Sequence, residues 1–220
     1  MTEEEWLNAP RFEQLYSAAL RASNWSFRKE TLFSVACCLR VLAAYPDERA
    51  TELLLDFEHR ALSSPSQPDY DDALSKHVIA YYDGEQSILN DHFAGALGQT
   101  ARGYILEVAE CCAGAMARGN SILPTGTDFD PDEQRAQAVL IRDIVGNPFR
   151  PVTFNPAWRT DTAVAVARQM YDSRDFGAMP ILADALQDAG CEDEQVLNHC
   201  REPGPHVRGC WVCDAVLGFA

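Results

Sequence analysis

Along most of the chain, apolar residues recur at spacings of three and four. That period gathers them on one face of an α-helix. The strongest case is residues 28–45. Leu32, Val35, Ala36, Leu39, Leu42 and Ala43 share one face, and Phe33, Cys37, Val41 and Ala44 share the opposite one. A helix apolar on both sides is buried among neighbours. This segment is therefore the expected central helix, with Leu32, Val35, Ala36, Leu39 and Leu42 in the core. Tyr45-Pro46-Asp47 ends it.

The same period predicts helices on both sides. Thr2-Glu3-Glu4-Glu5 has the form of a capping box and opens a short N-terminal helix anchored by Trp6 and Leu7. Further helices are expected at about 11–22, 47–62, 70–83, 86–98 and 100–118. Asp130-Pro131-Asp132-Glu133 supplies a cap, a proline at the first helical position and acids in the first turn, so a helix should run from there to Gly146. Shorter ones follow near 160–172, 179–189 and 192–201, with a last turn over 211–217.

The breaks are equally legible. Ser63-Ser64-Pro65-Ser66-Gln67-Pro68 reads as a linker, and 120–130 as a loop. Residues 147–158 hold three prolines and cannot form a regular helix. Only Pro151-Val152-Thr153-Phe154 reads as extended, too short to build a sheet. The expected fold is all-α: an N-terminal helical bundle from 1–62 and 71–119, and a C-terminal lobe of shorter helices and proline-rich loops over 130–220. The two loops, 147–158 and 203–211, are expected to pack together. Trp158 and Trp211 would then lie in the C-terminal core, and Arg150 or Arg208 would satisfy loop carbonyls.

Length and composition fit this picture, since 220 residues with 47% hydrophobic content can bury a sizeable core. The net charge of −15 changes it. Acids are spread along the chain as a solvated surface, which leaves room for a partner with a basic face. Only 18 lysines and arginines are present, unclustered, too few to neutralise phosphates, so direct nucleic-acid binding is not expected. No window approaches the roughly 20 apolar residues of a membrane span. The acidic N-terminus lacks the pattern of a secretion signal. A cytoplasmic location follows as the expectation, with the eight cysteines held as thiols.

Candidate chemistry concentrates near the C-terminus, where Cys191, His199, Cys200, His206, Cys210 and Cys213 surround Pro203-Gly204-Pro205. Structural zinc takes four Cys or His ligands. Cys210 and Cys213 form a C-x-x-C pair, and Cys200 with His206, or His199, would complete the set. The competing reading makes these cysteines small buried residues and hydrogen-bonds His206 in its turn, with no cofactor. A redox C-x-x-C follows a strand in thioredoxin-like proteins, and nothing strand-like precedes Cys210. No hydrolase, P-loop or Rossmann fingerprint is present, so no catalytic residue is assigned, and Glu58-His59 lacks the second His of a metalloprotease motif. Asn147, Phe149, Arg150, Trp158 and Arg208 are candidates for a partner-binding surface, because neighbouring prolines lower the entropy cost of burying aromatics.

The segments Arg142-Asp143-Ile144-Val145-Gly146-Asn147-Pro148-Phe149-Arg150-Pro151-Val152 and Gly204-Pro205-His206-Val207-Arg208-Gly209-Cys210-Trp211 resemble the signatures of an uncharacterised helical family found mainly in planctomycete bacteria. Thr2–Leu7, the Cys37-Cys38 helix, Pro180–Leu186 and Asn198–Arg201 resemble it too. The likeness implies a bacterial protein and a helical fold, and no catalytic residues, because no activity is known for the family. The functional expectation is a non-enzymatic interaction or accessory protein. A small zinc-stabilised module is the alternative, with a cysteine-dependent enzyme behind it.

Overall fold

A computed structural model describes residues 1–22, 25–63, 96, 105–119 and 129–219. These hold ten α-helices and one short 3-10 turn, with no strand among the described residues. The fold is all-α. The helices expected at 70–83 and 86–98, most of the linker and most of the 120–130 loop lie outside the described residues.

The N-terminal helices are α1 (Glu3–Asn8), α2 (Phe12–Ala19), α3 (Phe27–Ala44), α4 (Glu48–Ser63), α5 (Ile105–Gly119) and α6 (Pro131–Val145). The capping box at Thr2 forms, with Glu5 reaching back to the Thr2 backbone N–H at 2.7 Å. Asp130 caps α6 by accepting from the backbone of Asp132 and Glu133. α3 packs on α4, α5 and α6, and α2 packs on α6. Their shared core contains Trp6, Phe12, Leu15, Phe33, Val41, Leu54, Ile141 and Ile144. Phe12 and Phe33 stack with ring centres 4.6 Å apart.

α3 is buried on both faces, as its pattern requires: Leu32, Phe33, Val35, Ala36, Cys37 and Val41 are all buried. Leu39 departs from expectation. It is half-buried and lines a cleft. Helix α6, which the sequence grouped with the C-terminal lobe, carries Ala138, Leu140, Ile141, Ile144 and Val145 into this first core.

The C-terminal helices are shorter: α7 (Asp161–Ser173), α8 (Met179–Asp188), α9 (Glu194–Arg201) and α10 (Trp211–Leu217). Thr160 and Asp193 cap α7 and α9. A second core forms from Ala163, Met170, Leu182, Leu186, Val196, Val212 and Val216, together with Cys191, Cys200, Cys210 and Cys213. Trp158 and Trp211 are half-buried against it.

Buried charge lies where the two cores meet. Arg28 of α3 pairs with Asp214 of α10, at 2.5 Å from Nη1 to Oδ2 and 3.1 Å from Nη2 to Oδ1. The Tyr171 hydroxyl donates to the same carboxylate and accepts the Gly209 N–H at 2.7 Å. Lys29 donates to the Ile144 carbonyl at 2.8 Å. Glu58 of α4 accepts from Arg208 at 2.6 Å and from Arg174. The Arg28–Asp214, Glu58–Arg208 and Glu58–Arg174 pairs each join an N-terminal helix to a C-terminal segment, so a polar seam welds two apolar cores.

Candidate metal centre

Four potential ligands converge at that seam. Asp143 lies in the last turn of α6 and His199 in the last turn of α9. His206 follows Pro205 in the connecting segment, and Cys210 is the residue on which α10 begins. Two glycines let the backbone close around them. Gly146 has φ +75°, and a Cβ there would lie 3.2 Å from the Trp211 ring. Gly209 has φ +97°, and a Cβ there would lie 3.2 Å from Leu32. Both need a left-handed backbone and close approach, which only glycine supplies without strain.

One ligand atom from each of Asp143, His199, His206 and Cys210 lies within 4.8 Å of all the others. His206 Nδ1 is 2.7 Å from Asp143 Oδ1, and His199 Nε2 is 3.2 Å from the same oxygen. His199 Nε2 is also 3.2 Å from Cys210 Sγ. A tetrahedral zinc ion with bonds of about 2.0–2.3 Å sets its ligands about 3.3–3.8 Å apart, so small shifts would admit one. The other Asp143 oxygen accepts the Val207 N–H at 3.0 Å, a second contact that orients the carboxylate. His206 Nε2 is buried without a hydrogen-bond partner.

The electrostatics fit a cluster that holds positive charge. Burial opposes the Asp143 charge, yet the hydrogen bonds from His199 and His206 more than offset it and hold the carboxyl below its usual value. Burial also opposes charge on the imidazoles, but Cys210 and Asp143 together lift His199 to about 9 and His206 to about 10. Burial pushes the Cys210 thiol well above its ordinary value. A buried, protonated thiol is a poor nucleophile. Beside a divalent cation the same sulfur would ionise, because the ion's charge inverts the local balance.

The metal candidates read from the sequence separate here. His206 and Cys210 are in the cluster, and so is His199. Cys200 and Cys213 are buried in the second core outside the four-atom set, with the Cys213 thiol 3.5 Å from the Met179 sulfur. Asp143 stands in the Arg142–Val152 signature, but nothing in the sequence marked it as a ligand.

The partner-surface candidates also divide. Asn147 and Arg150 both meet Glu3 Oε1, at 2.8 and 2.6 Å, and Phe149 beside them is 40% exposed. Trp158 instead meets Phe154 edge-on, with ring centres 5.2 Å apart. Arg208 donates to the Tyr171 carbonyl at 2.6 Å and to Glu58, and is thus a seam residue. The two proline-rich segments adjoin: Trp211 packs beside Gly146, just before the first of them, and lines one pocket with Asn147, Pro148 and Pro151.

All eight cysteines are free thiols. Among the described residues no helix is long and apolar enough to cross a membrane. Comparison of the chain with family models, with curated proteins and with solved structures finds no match.

Proposed function

We propose that this protein is a non-enzymatic accessory module whose C-terminal lobe is locked onto its helical bundle by one zinc ion. Asp143, His199, His206 and Cys210 are the ligands. One observation carries the reading: four donor atoms of oxygen, nitrogen and sulfur type, from three separate segments, converge within 4.8 Å at the seam. The donor set suits zinc. Four protein ligands leave no open coordination position, which is the mark of a structural rather than a catalytic ion. The buried Cys210 thiol agrees with it.

The module's work is then recognition. Phe149 is displayed on a proline-flanked loop whose neighbours Asn147 and Arg150 are pinned to Glu3. The acidic surface favours a protein partner with a basic face. The reduced cytoplasm keeps the ligand thiol available.

Elemental analysis of the purified protein tests the site. The expected result is about one zinc per chain, lost in Cys210→Ser and retained in Cys213→Val. After chelation, amides of α9 and α10 should exchange faster while those of the α3 core stay protected. Protein that carries no metal, and whose melting temperature responds neither to zinc nor to chelator, would overturn the reading.

A further inference from the structure

A second feature lies beside the seam. A cleft of about 300 Å³ opens between α3, α4, the connection that carries Arg174 and Phe176, and the connection that carries Arg208. Much of its lining is apolar, from Leu32, Ala36, Leu39 and Phe176, and this is where Leu39 spends the exposure that its helical register did not predict. Cations dominate its polar lining. Arg40, Arg174 and Arg208 all face it, against the single acid Glu58.

The arginines are not equally occupied. Arg208 is spent on Glu58 and two carbonyls at the end of α7. Arg174 shares Glu58 through one Nη. Arg40 gives its Nε to Glu133 at 3.0 Å, and its two Nη groups have no partner among the described residues. Three guanidinium groups thus face two carboxylates, Glu58 and Glu133, and one positive charge is left over. In a chain of net charge −15 that local surplus is out of character. Arg174 has φ 56°, making it the one non-glycine residue with positive φ among the described residues. It is the residue that ends α7, where left-handed backbone is common, and it stands at the cleft wall.

We propose that this cleft binds a small monocarboxylate with an apolar body. Its head group meets the free guanidinium N–H groups of Arg40 and Arg174, and its body lies against Leu39 and Phe176. The forked geometry of arginine matches a carboxylate. The single surplus charge selects a monoanion over a dianion. The volume is at the lower end for small-molecule sites, which limits the ligand to a short chain or one ring. The inference stands apart from the zinc reading, because only His206 is common to the cleft and the metal cluster.

Octanoate is a suitable probe, titrated calorimetrically into the full chain beside octanamide and octyl phosphate, with zinc content measured on the same samples. Octanoate should bind and neutral octanamide should not. Arg174→Gln keeps Arg208 on Glu58 and should weaken octanoate about tenfold. Ala43→Trp should abolish binding, because Ala43 is exposed at the cleft wall and a large ring there fills the space without entering the core. Circular dichroism melting confirms that both variants fold. The proposal is overturned if octanoate shows no binding at about millimolar concentration. It is equally overturned if octanamide binds as well, if octyl phosphate binds more tightly, or if either variant binds octanoate like the wild type.

Discussion

The two cores of this molecule are built differently. The N-terminal core is centred on long helices, the 18-residue α3 and 16-residue α4, against which the short α1 and α2 lay large apolar side chains. Trp6, Phe12, Phe33 and Leu54 are almost completely buried there. The C-terminal core joins helices of 13, 10, 8 and 7 residues. Helices that short are marginal on their own and depend on tertiary ties. They get those ties from caps, from four buried cysteines and from the polar seam against α3, α4 and α6. The contrast teaches where directional chemistry is needed. Long helices can be held by non-directional burial. Short ones need contacts that fix position as well as proximity.

The strongest way to break the comparison is to strand a seam charge. Asp214→Ala leaves Arg28 buried beside the Tyr171 hydroxyl with no counter-charge, and should cost about 3–5 kcal/mol in urea unfolding. Replacing both partners, as Arg28→Leu with Asp214→Leu, should recover most of that, because an apolar pair carries no desolvation penalty. If the double variant is as unstable as the single one, the seam contributes more than charge compensation.

In the N-terminal core the matching change is Leu54→Ala. Leu54 is completely buried on α4, and its truncation should cost about 2–5 kcal/mol, the range for leucine cavities. No second substitution at a polar site should rescue it. A loss within assay error would mean that this core tolerates cavities and that the contrast between the regions is overstated. The seam glycine ranks next. Gly209→Ala forces a side chain into φ +97° and against Leu32, and should cost about 1–3 kcal/mol by the same assay.

How much could be read in advance follows the same divide. α3 was legible because burial on both faces writes apolar residues into both faces, and the Asp130-Pro131 start of α6 was legible because capping is local. Leu39 was misplaced because periodicity assigns a face without showing what covers it. The seam was largely hidden. Asp143 meets His206 across 63 residues, and Arg28 meets Asp214 across 186. Such pairs leave no spacing in the chain, and Arg28, Asp143 and Asp214 each read as an ordinary polar residue. Glu58 was read only as half of an incomplete metalloprotease motif, yet it is almost fully buried under two arginines. His206 and Cys210 were legible because ligand types cluster around a stiff turn, whereas their partner Asp143 was not.

The smallest expected effect asks whether the N-terminal core holds a charge of its own. Glu133 is in the first turn of α6 and is 1% exposed. It accepts from Arg40 at 3.0 Å and from Gln137 at 3.3 Å. Burial raises its carboxyl above the ordinary 4.5, and Arg40 and Gln137 only partly offset this. The folded state therefore binds the Glu133 proton more tightly than the unfolded chain does. The stability this gives is fully present below 4.5 and is lost as pH rises through the folded value. Glu133→Gln removes that titration while keeping a hydrogen-bonding side chain of similar size. Relative to wild type, the variant should gain stability as pH rises from about 4.5 to about 7, by less than any core truncation costs. Urea midpoints across that range measure it. A constant difference at every pH would mean that the Arg40 pairing fully offsets burial. The N-terminal core would then use its ion pair as the seam does, and the two regions would differ in degree rather than in kind.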